Sequence, residues 1–269
     1  MPKHVEFPPN TTATPTGDGY DTSPGRPVIA RCGTMGAGVA VLPHAHPRAQ
    51  LILCLDGVLR LRAGEDVWMV PHKHAIWIPG GLGHQLTTQT SLRVRHLYVA
   101  PRFAGRAGLP QACTVFRGSP LLRGIVERLA VEEDQAGAAA RRLAWVALDE
   151  IARLRPAALH LPGGRDARLV AVMAHFLRHP EERRSLSEVA RDLDTSERTL
   201  ERLFATEAGM TFRDWRAKLR CMVALEGIER GETSTALARR LGYSSPSAFT
   251  AAFRREFGAP PSAFRSGLR

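Results

Sequence analysis

One pattern occurs twice in the final third of this chain, and it restricts that region to a pair of short helical hairpins. Val189, Leu193, Phe204 and Gly209 in the first copy align with Leu237, Leu241, Phe253 and Gly258 in the second. The offset is 48 residues before the turn and 49 after it, so the second turn is longer by one residue. Ser185-x-x-Glu188 has the form of a capping box, in which the serine hydroxyl and the glutamate each satisfy an unpaired N–H of the first helical turn. Leu186, Val189, Ala190 and Leu193 recur at i, i+3, i+4 and i+7, an apolar stripe along one side of a helix. Asp194-Thr195 makes the turn, Ser196 caps the next helix, Leu200, Leu203 and Phe204 point back at the first, and Gly209 ends it in a left-handed cap. The second copy has Thr233 as cap, Leu237, Ala238 and Leu241 as stripe, and Gly242-Tyr243-Ser244 as turn. Ser245-Pro246 then opens a helix at the position where the N–H that proline lacks would be unpaired anyway.

Residues 211–230 contain no proline and read as one connecting helix, with Phe212, Trp215, Leu219, Met222, Val223 and Leu225 available for packing. Such a helix spans about 30 Å, close to the ~34 Å turn of B-DNA. A chain built this way is able to set residues 196–207 and 246–256 into successive major grooves on one DNA face. The plainer alternative is two hairpins packed into a small bundle. Duplicated caps, turns and terminal glycines agree with one another and favour the first.

Residues 185–265 resemble the DNA-binding domain of AraC/XylS-type transcription regulators, and the resemblance covers essentially every landmark of that domain. Its most specific marker is GYSSPSAFTAAFRREFGAPPSAFR, from Gly242 to Arg265. The resemblance implies base and phosphate contacts from Arg198, Glu201 and Arg202 in the first recognition helix and from Pro246, Ser247, Thr250 and Ala251 in the second. Ala251 stands where many relatives carry a basic residue, which shifts the expected base readout toward the first helix; Phe212 replaces a frequent proline at a helix start. In physical terms Arg198 and Arg202, four residues apart, share a face away from the apolar stripe. Arginine either donates two hydrogen bonds to a guanine edge or clamps a phosphate. Glu201 either accepts from cytosine N4 or steers an arginine.

Charge is compatible with a polyanionic partner: 37 Lys+Arg oppose 26 Asp+Glu. The excess is not concentrated in the helical repeats, since residues 166–269 hold 18 basic and 14 acidic side chains. No apolar run approaches the ~20 residues a membrane span needs, and the start lacks the apolar stretch of a signal peptide. A cytoplasmic protein without membrane partners is the expectation. Cys32, Cys54, Cys113 and Cys221 are scattered with no C-x-x-C, which indicates neither a disulfide framework nor a zinc knuckle.

The first 27 residues, rich in Thr, Pro, Gly and Asp, read as a mobile tail. From Pro27 to Pro101 short apolar segments alternate with turn signals at Asp56-Gly57, Ala63–Asp66 and Pro79–Gly81, as in a small sandwich or barrel. Eight strands are expected, near residues 28–32, 38–42, 50–55, 58–62, 66–70, 75–78, 85–88 and 92–99. Within them, His44-Ala-His46 followed by Gln50 and Gly57 resembles the first cupin motif, and Pro79-Gly-Gly81-Leu-Gly-His84 the second. On one strand, residues 44, 46 and 50 would share a face. With His84 they would make an effector pocket of three imidazoles and one amide oxygen, a set able to hold a divalent iron, nickel, manganese or zinc ion. The sequence departs from the catalytic cupin pattern: Gln50 replaces the usual glutamate, Lys73 the first glycine of the second motif and Thr88 its asparagine. Two readings stand, a bound ion or a metal-free pocket whose histidines hydrogen-bond an effector or each other. His72, His74 and His96 read as surface or turn residues, and Trp68 and Trp77 as core.

Two helical patterns follow. Residues 120–131 set Leu121, Leu122, Ile125, Val126 and Leu129 on one side, and residues 138–154 do so with Leu143, Val146, Ala147, Ile151 and Leu154. Both stripes pack on the barrel, or one also pairs with its copy in a second chain, as the resemblance suggests. Residues 155–165, with two prolines and paired glycines, read as a linker. The expected fold is therefore α+β: a cupin-like β-barrel over 28–112, a helical segment over 113–154, and an all-α domain with two helix-turn-helix motifs over 166–269. The expected function is a sequence-specific regulator that senses a small effector and binds an operator. The resemblance leans to a homodimeric activator contacting RNA polymerase, not an enzyme. The alternative is a metal-dependent cupin enzyme, a dioxygenase or isomerase, fused to a DNA-binding module. Gln50 weighs against it, because catalytic cupins more often use the carboxylate.

Overall fold

The computed structural model describes residues 4–23, 25–106 and 108–265. The chain divides into two compact units, residues 1–61 with 70–158, and residues 62–69 with 159–269. The strands begin with β1 (His4–Phe7), β2 (Thr12–Ala13), β3 (Val28–Met35), β4 (Ala40–His44) and β5 (Ala49–Asp56). They continue as β6 (Val58–Ala63), β7 (Asp66–Pro71), β8 (His74–Ile78), β9 (His84–Thr88), β10 (Leu92–Val99) and β11 (Thr114–Arg117). All eight strands expected from the alternation are present, as β3 to β10.

These strands form two sheets. One has the order β1-β3-β10-β5-β8-β11; in the other β7, β6, β9, β4 and β2 follow one another. Among the described residues no ladder joins the sheets, so the expected cupin-like barrel is an open pair instead. The edge strands β2 and β11 are only two and four residues long, too short to stitch one sheet to the other.

One face of the first sheet is covered by helices α1 (Pro101–Arg106), α2 (Pro120–Ala130) and α3 (Ala138–Arg153). Ser119 caps α2 by accepting from the Leu122 N–H, and Pro120 follows at the first helical position. Leu51, Leu53, Trp77, Leu97 and Val99 from the sheet meet Leu122, Val126 and Leu129 of α2 and Ala147, Leu148 and Ile151 of α3. Each large side chain buried here contributes about 1.5–3 kcal/mol. Two residues expected on the buried stripes lie outside them, with Leu121 at 56% and Val146 at 44% exposure. The packed rows run through Leu122 and Ala147, and one residue along a helix turns a side chain by about 100°.

The N-terminal segment, expected to be mobile, is built into this unit; residues 1–3 and Pro24 lie outside the described ones. β1 runs parallel to β3, β2 runs parallel to β4, and residues 17–20 form a 3-10 turn. Two arginines account for this order. Arg31 grips Asp18 through both Nε, at 3.0 Å, and Nη2, at 2.6 Å. Arg48, fully buried, donates to the carbonyl oxygens of Asp21, Arg26 and Pro27. The composition of the segment hid this, because its partners lie on β3 and beside β5.

In the second unit β12 (His160–Leu161) pairs antiparallel with Val67 and Trp68. Helices α4 (Ala167–Arg178), α5 (Leu186–Asp192), α6 (Glu197–Leu203), α7 (Phe212–Glu229), α8 (Ser234–Arg240) and α9 (Pro246–Phe257) follow. The expected linker residues are partly engaged: the Gly163 N–H donates to Asp66 at 2.8 Å and the Trp215 indole to the Pro162 carbonyl at 2.8 Å. α7 is buried around most of its circumference, through Trp215, Leu219, Met222, Ala224, Leu225 and Ile228. Phe204 and Phe253, equivalent in the two copies, each anchor an aromatic cluster. Phe204 meets Phe212 and Trp215 at 5.4 and 5.7 Å, and Phe253 meets Phe249 and Phe264 at 5.7 and 5.4 Å. None of the four cysteines forms a disulfide.

Replacing Arg48 by Met should keep the bulk but orphan the loop carbonyls. An equilibrium urea titration is expected to show a loss of about 2–4 kcal/mol; an unchanged midpoint would mean that the arginine does not hold the segment.

Candidate functional site

The local signals at the helix-turn-helix pair act as the sequence suggests. Ser185 and Glu188 form the reciprocal capping box, and Ser196, Thr211, Thr233 and Ser245 each cap the helix that follows by accepting a backbone N–H. Gly209 and Gly258 sit at φ 67° and 72°, the left-handed region a side chain resists. Phe204–Ala208 forms a short π-helical extension of α6.

Burial sorts the faces of the recognition helices. Leu200, Leu203, Phe249 and Phe253 point inward, whereas Arg198, Glu201, Arg202, Pro246, Ser247 and Ala251 are exposed and Thr250 is half-buried. Among the described residues, Arg198, Glu201 and Arg202 take part in no ion pair, so their charge is directed at solvent. Pro246, Ser247, Thr250 and Ala251 line an open groove with Arg254 and Arg255. Arg254 was not singled out from the sequence, although it lies three residues beyond Ala251 and four beyond Thr250, on the same face.

The expected effector residues gather between the two sheets. They do not share one strand: His44 ends β4, His46 lies in the connection, and Gln50 is the second residue of β5. Pro47, which has no N–H to offer a ladder, interrupts the strand between them. The side chains converge nevertheless. His84 is the cross-strand partner of His44, and their rings stand 4.3 Å apart; the ring of His46 is 5.6 Å from that of His44 and 5.2 Å from that of His84. Each Nδ1 donates to a backbone carbonyl: His44 to Leu42 at 2.8 Å, His46 to Arg48 at 2.7 Å, His84 to Leu82 at 2.9 Å.

Gln50 bridges this cluster to a residue the sequence reading placed at the surface. Its Oε1 lies 3.2 Å from His46 Nε2 and its Nε2 lies 3.0 Å from His96 Nδ1. His96 is buried, as is Tyr98, whose hydroxyl meets that of Thr16 at 3.1 Å. Alternation along β10 held the signal, since Val94, His96 and Tyr98 share the parity opposite to Arg93 and Arg95. His72 occupies a turn but is buried, and His74 opens β8 with its Nδ1 donating to the His72 carbonyl at 3.0 Å. Trp77 is core, and Trp68 is buried against His160 at 4.8 Å between rings.

Phe7, Met35, Val41 and Leu86 complete the pocket walls with Pro15 and Thr16 of the N-terminal segment. The remaining cavity is about 30 Å³, room for about one water molecule. Gly19 packs so closely that a Cβ there would stand 2.5 Å from the His46 ring. Burial, aided by the neighbouring imidazoles, pulls the His84 pKa down to about 4; burial also pulls that of His96 to about 4 and lowers that of His44.

Two units of this kind, a two-sheet body with a small enclosed polar cluster and a helical body presenting a duplicated helix-turn-helix, define a ligand-binding, DNA-binding regulator. Residues 29–212 match the AraC-like ligand binding domain, and residues 189–267 match a helix-turn-helix domain. The chain belongs to the AraC family and is a DNA-binding transcription regulator with an N-terminal ligand-binding domain. It is 32% identical over 243 residues to the HTH-type transcriptional regulator NimR of Escherichia coli K12, covering 89% of this chain and 88% of that one. It is 37% identical over 107 residues to the regulator RipA of Corynebacterium glutamicum, covering 40% of this chain and 32% of that one. A solved structure of ToxT from Vibrio cholerae aligns over 89% of this chain and 98% of its own, at 10% identity and a TM-score of 0.38.

The histidine pKa values set an acid limit. His84 and His96 stay neutral in the fold down to about pH 4 but take a proton near 6.5 when unfolded, so the unfolded chain binds more protons between these values. Stability is full above about pH 6.5 and falls as the pH drops toward about 4. Urea titrations of EDTA-treated protein at several pH values should show this slope, and His96→Phe should flatten part of it. A pH-independent midpoint across that window would contradict the burial argument.

Proposed function

We propose that α6 and α9 enter successive major grooves of one operator and that the two-sheet unit senses a small molecule around His44, His46, Gln50 and His84. The observation that carries the first part is the exposed, internally unpaired set Arg198, Glu201 and Arg202 on α6, matched by the open face of α9. The spacing agrees: α7 has 18 residues, about 27 Å of helix, against ~34 Å for a turn of B-DNA. Arg202 and Arg198 read or clamp the first groove, with Glu201 beside them. Ser247, Thr250 and Ala251 offer the second groove little charge, and Arg254 supplies a phosphate contact there.

Selection of bound sequences from random DNA tests both helices at once. The expected product is a bipartite motif with half-sites about one helical turn apart; a single uninterrupted half-site would overturn the two-groove arrangement. Arg202→Ala should weaken operator binding by about 1–3 kcal/mol and relax one base position, whereas Arg254→Ala should weaken all sequences alike and lower the salt dependence by about one ion. Equal affinity and base preference after Arg202→Ala would remove it from the readout.

The effector is a small molecule rather than a substrate, and the chain is a regulator rather than an enzyme. Support comes from regulatory relatives and from a cavity of about 30 Å³. An effector larger than a water molecule must displace part of the lining, of which Pro15 and Thr16 are the portion outside the sheets. Action in the cytoplasm fits the absence of any helix long and apolar enough to cross a membrane, among the described residues.

Leu121, Val131, Trp145 and Val146 expose apolar surface on or beside α2 and α3, which supports a homodimer through these helices. Val146→Glu should shift the sedimenting species toward monomer; a wild-type protein that is monomeric at high concentration would exclude that contact. Activation through RNA polymerase is the regulatory outcome that the family resemblance favours.

A further inference from the structure

The loop that leads into the first helix-turn-helix carries an arginine that the recognition helices do not account for. Residues 179–184 run from α4 to Ser185, the cap of α5, and two half-buried arginines of α7 hold them in place. Arg216 donates through Nη1 to the Arg184 carbonyl at 2.8 Å and through Nη2 to that of Glu182, with its guanidinium 4.9 Å from the centre of the Phe176 ring. Arg220 donates through Nη2 to the Glu182 carbonyl at 2.9 Å and through Nε to that of Pro180 at 3.3 Å. A loop fixed through its carbonyls presents the Arg183 side chain in a defined place.

That place is the turn of the second motif. A Cβ on Gly242 would stand 3.4 Å from Arg220 Nη2 and 3.5 Å from Arg183 Nε, so the two guanidinium groups flank one point of the backbone. Arg183 is exposed, and among the described residues neither it nor Arg220 has a carboxylate partner. The carboxylates nearby are committed: Glu182 to Arg184 at 3.1 Å, Glu256 to Lys218 at 2.7 Å, and Glu181 lies 3.7 Å from His179. Burial lowers the Arg220 pKa and the Arg183 charge adds to that; burial and the Arg220 charge pull the Arg216 pKa down to about 10. Like charges gathered in this way, without a counter-ion of their own, are stabilised by an anion placed between them.

Position in the two motifs identifies the anion. The first helix of a helix-turn-helix crosses the DNA backbone, and the second enters the groove by its N-terminal end. Arg183 immediately precedes the first helix of the first motif, and Gly242 opens the turn that leads to Ser245, the cap of α9. The backbone-crossing end of one motif therefore meets the groove-entering end of the other. We infer that Arg183, with Arg220 behind it, binds one backbone phosphate in the stretch of DNA between the two recognition helices, and so ties occupancy of the first groove to occupancy of the second. A phosphodiester accepts a charge-assisted hydrogen bond from each guanidinium. Arg216 is a positioning residue, acting only through the loop it holds. Such a contact reads the spacing of the half-sites and carries no base preference. It rests on the two-groove reading proposed above.

The full-length chain is titrated, at a series of salt concentrations, onto the operator recovered from random DNA and onto a mixed-sequence duplex. Arg183→Gln, at an exposed position, should weaken binding by about 10-fold, lower the slope of log affinity against log salt by about 0.9 and leave the base preference of each half-site unchanged, whereas Arg183→Lys should keep the slope. Operators carrying a neutral methylphosphonate at one phosphate at a time locate the contact. One position between the half-sites should weaken the wild type by about 10-fold and leave Arg183→Gln unaffected. Arg216→Met, shown to be folded by circular dichroism, should tolerate a base pair inserted between the half-sites better than the wild type does. An unchanged salt slope for Arg183→Gln, or losses that add at every methylphosphonate position, overturns the site and leaves the two-groove reading standing. If selection returns a single half-site, the two-groove reading falls and Arg183 is judged on the mixed-sequence duplex: a lowered slope keeps its phosphate contact, and an unchanged slope removes it.

Discussion

The burial of α7 is the constraint on which the DNA-binding half depends. Trp215, Leu219, Met222, Ala224, Leu225 and Ile228 face inward in several directions, so this helix is stable only with apolar partners around it. Phe204 of the first hairpin lies against Trp215, and α9 of the second packs on α7, with Lys218 paired to Glu256 at 2.7 Å. Each hairpin is too short to be stable alone, since helices of seven residues fall well below the length that holds in water. The same contacts that stabilise the hairpins set the separation of the recognition helices, making folding and spacing one property.

The sensor half follows a different logic. Its apolar core lies between the first sheet and helices α2 and α3, where Leu51, Trp77, Leu97, Leu122 and Val126 meet. The opposite face of that sheet, turned to the second sheet, carries Gln50, His96 and Tyr98. Stability comes from one face and chemistry from the other, and alternation along β5 and β10 keeps them apart. Polar groups are tolerated in the second layer because they find partners there: His44, His46 and His84 each donate through Nδ1 to a backbone carbonyl, and Gln50 reaches both His46 and His96.

Legibility differed between the halves for physical reasons. In the repeats the signals are local: Ser185 and Glu188 cap their own helix, and Gly209 and Gly258 end theirs, so adjacent residues suffice. The eight strands β3 to β10 were legible for the same reason. The N-terminal segment was not, because Arg31 and Arg48 that order it lie on or next to other strands. His96 was misjudged although its parity on β10 was available; its role becomes visible only once β10 is paired with β5, which brings it beside Gln50. The shared-strand placement of His44, His46 and Gln50 failed at Pro47, yet the residues converge because cross-strand pairing with His84 does what one strand could not.

The sequence by itself determined that this chain carries two capped helix-turn-helix motifs and which residues those motifs expose. These are consequences of periodicity, capping and motif spacing, all of which act over a few residues. Only the tertiary structure decided that the sheets stay open, that the N-terminal segment lines the pocket, that His96 meets Gln50, and that Leu121 and Val146 face outward. Each of those depends on which distant elements meet, and a side chain's partner across a sheet or helix interface is not encoded in its neighbours along the chain.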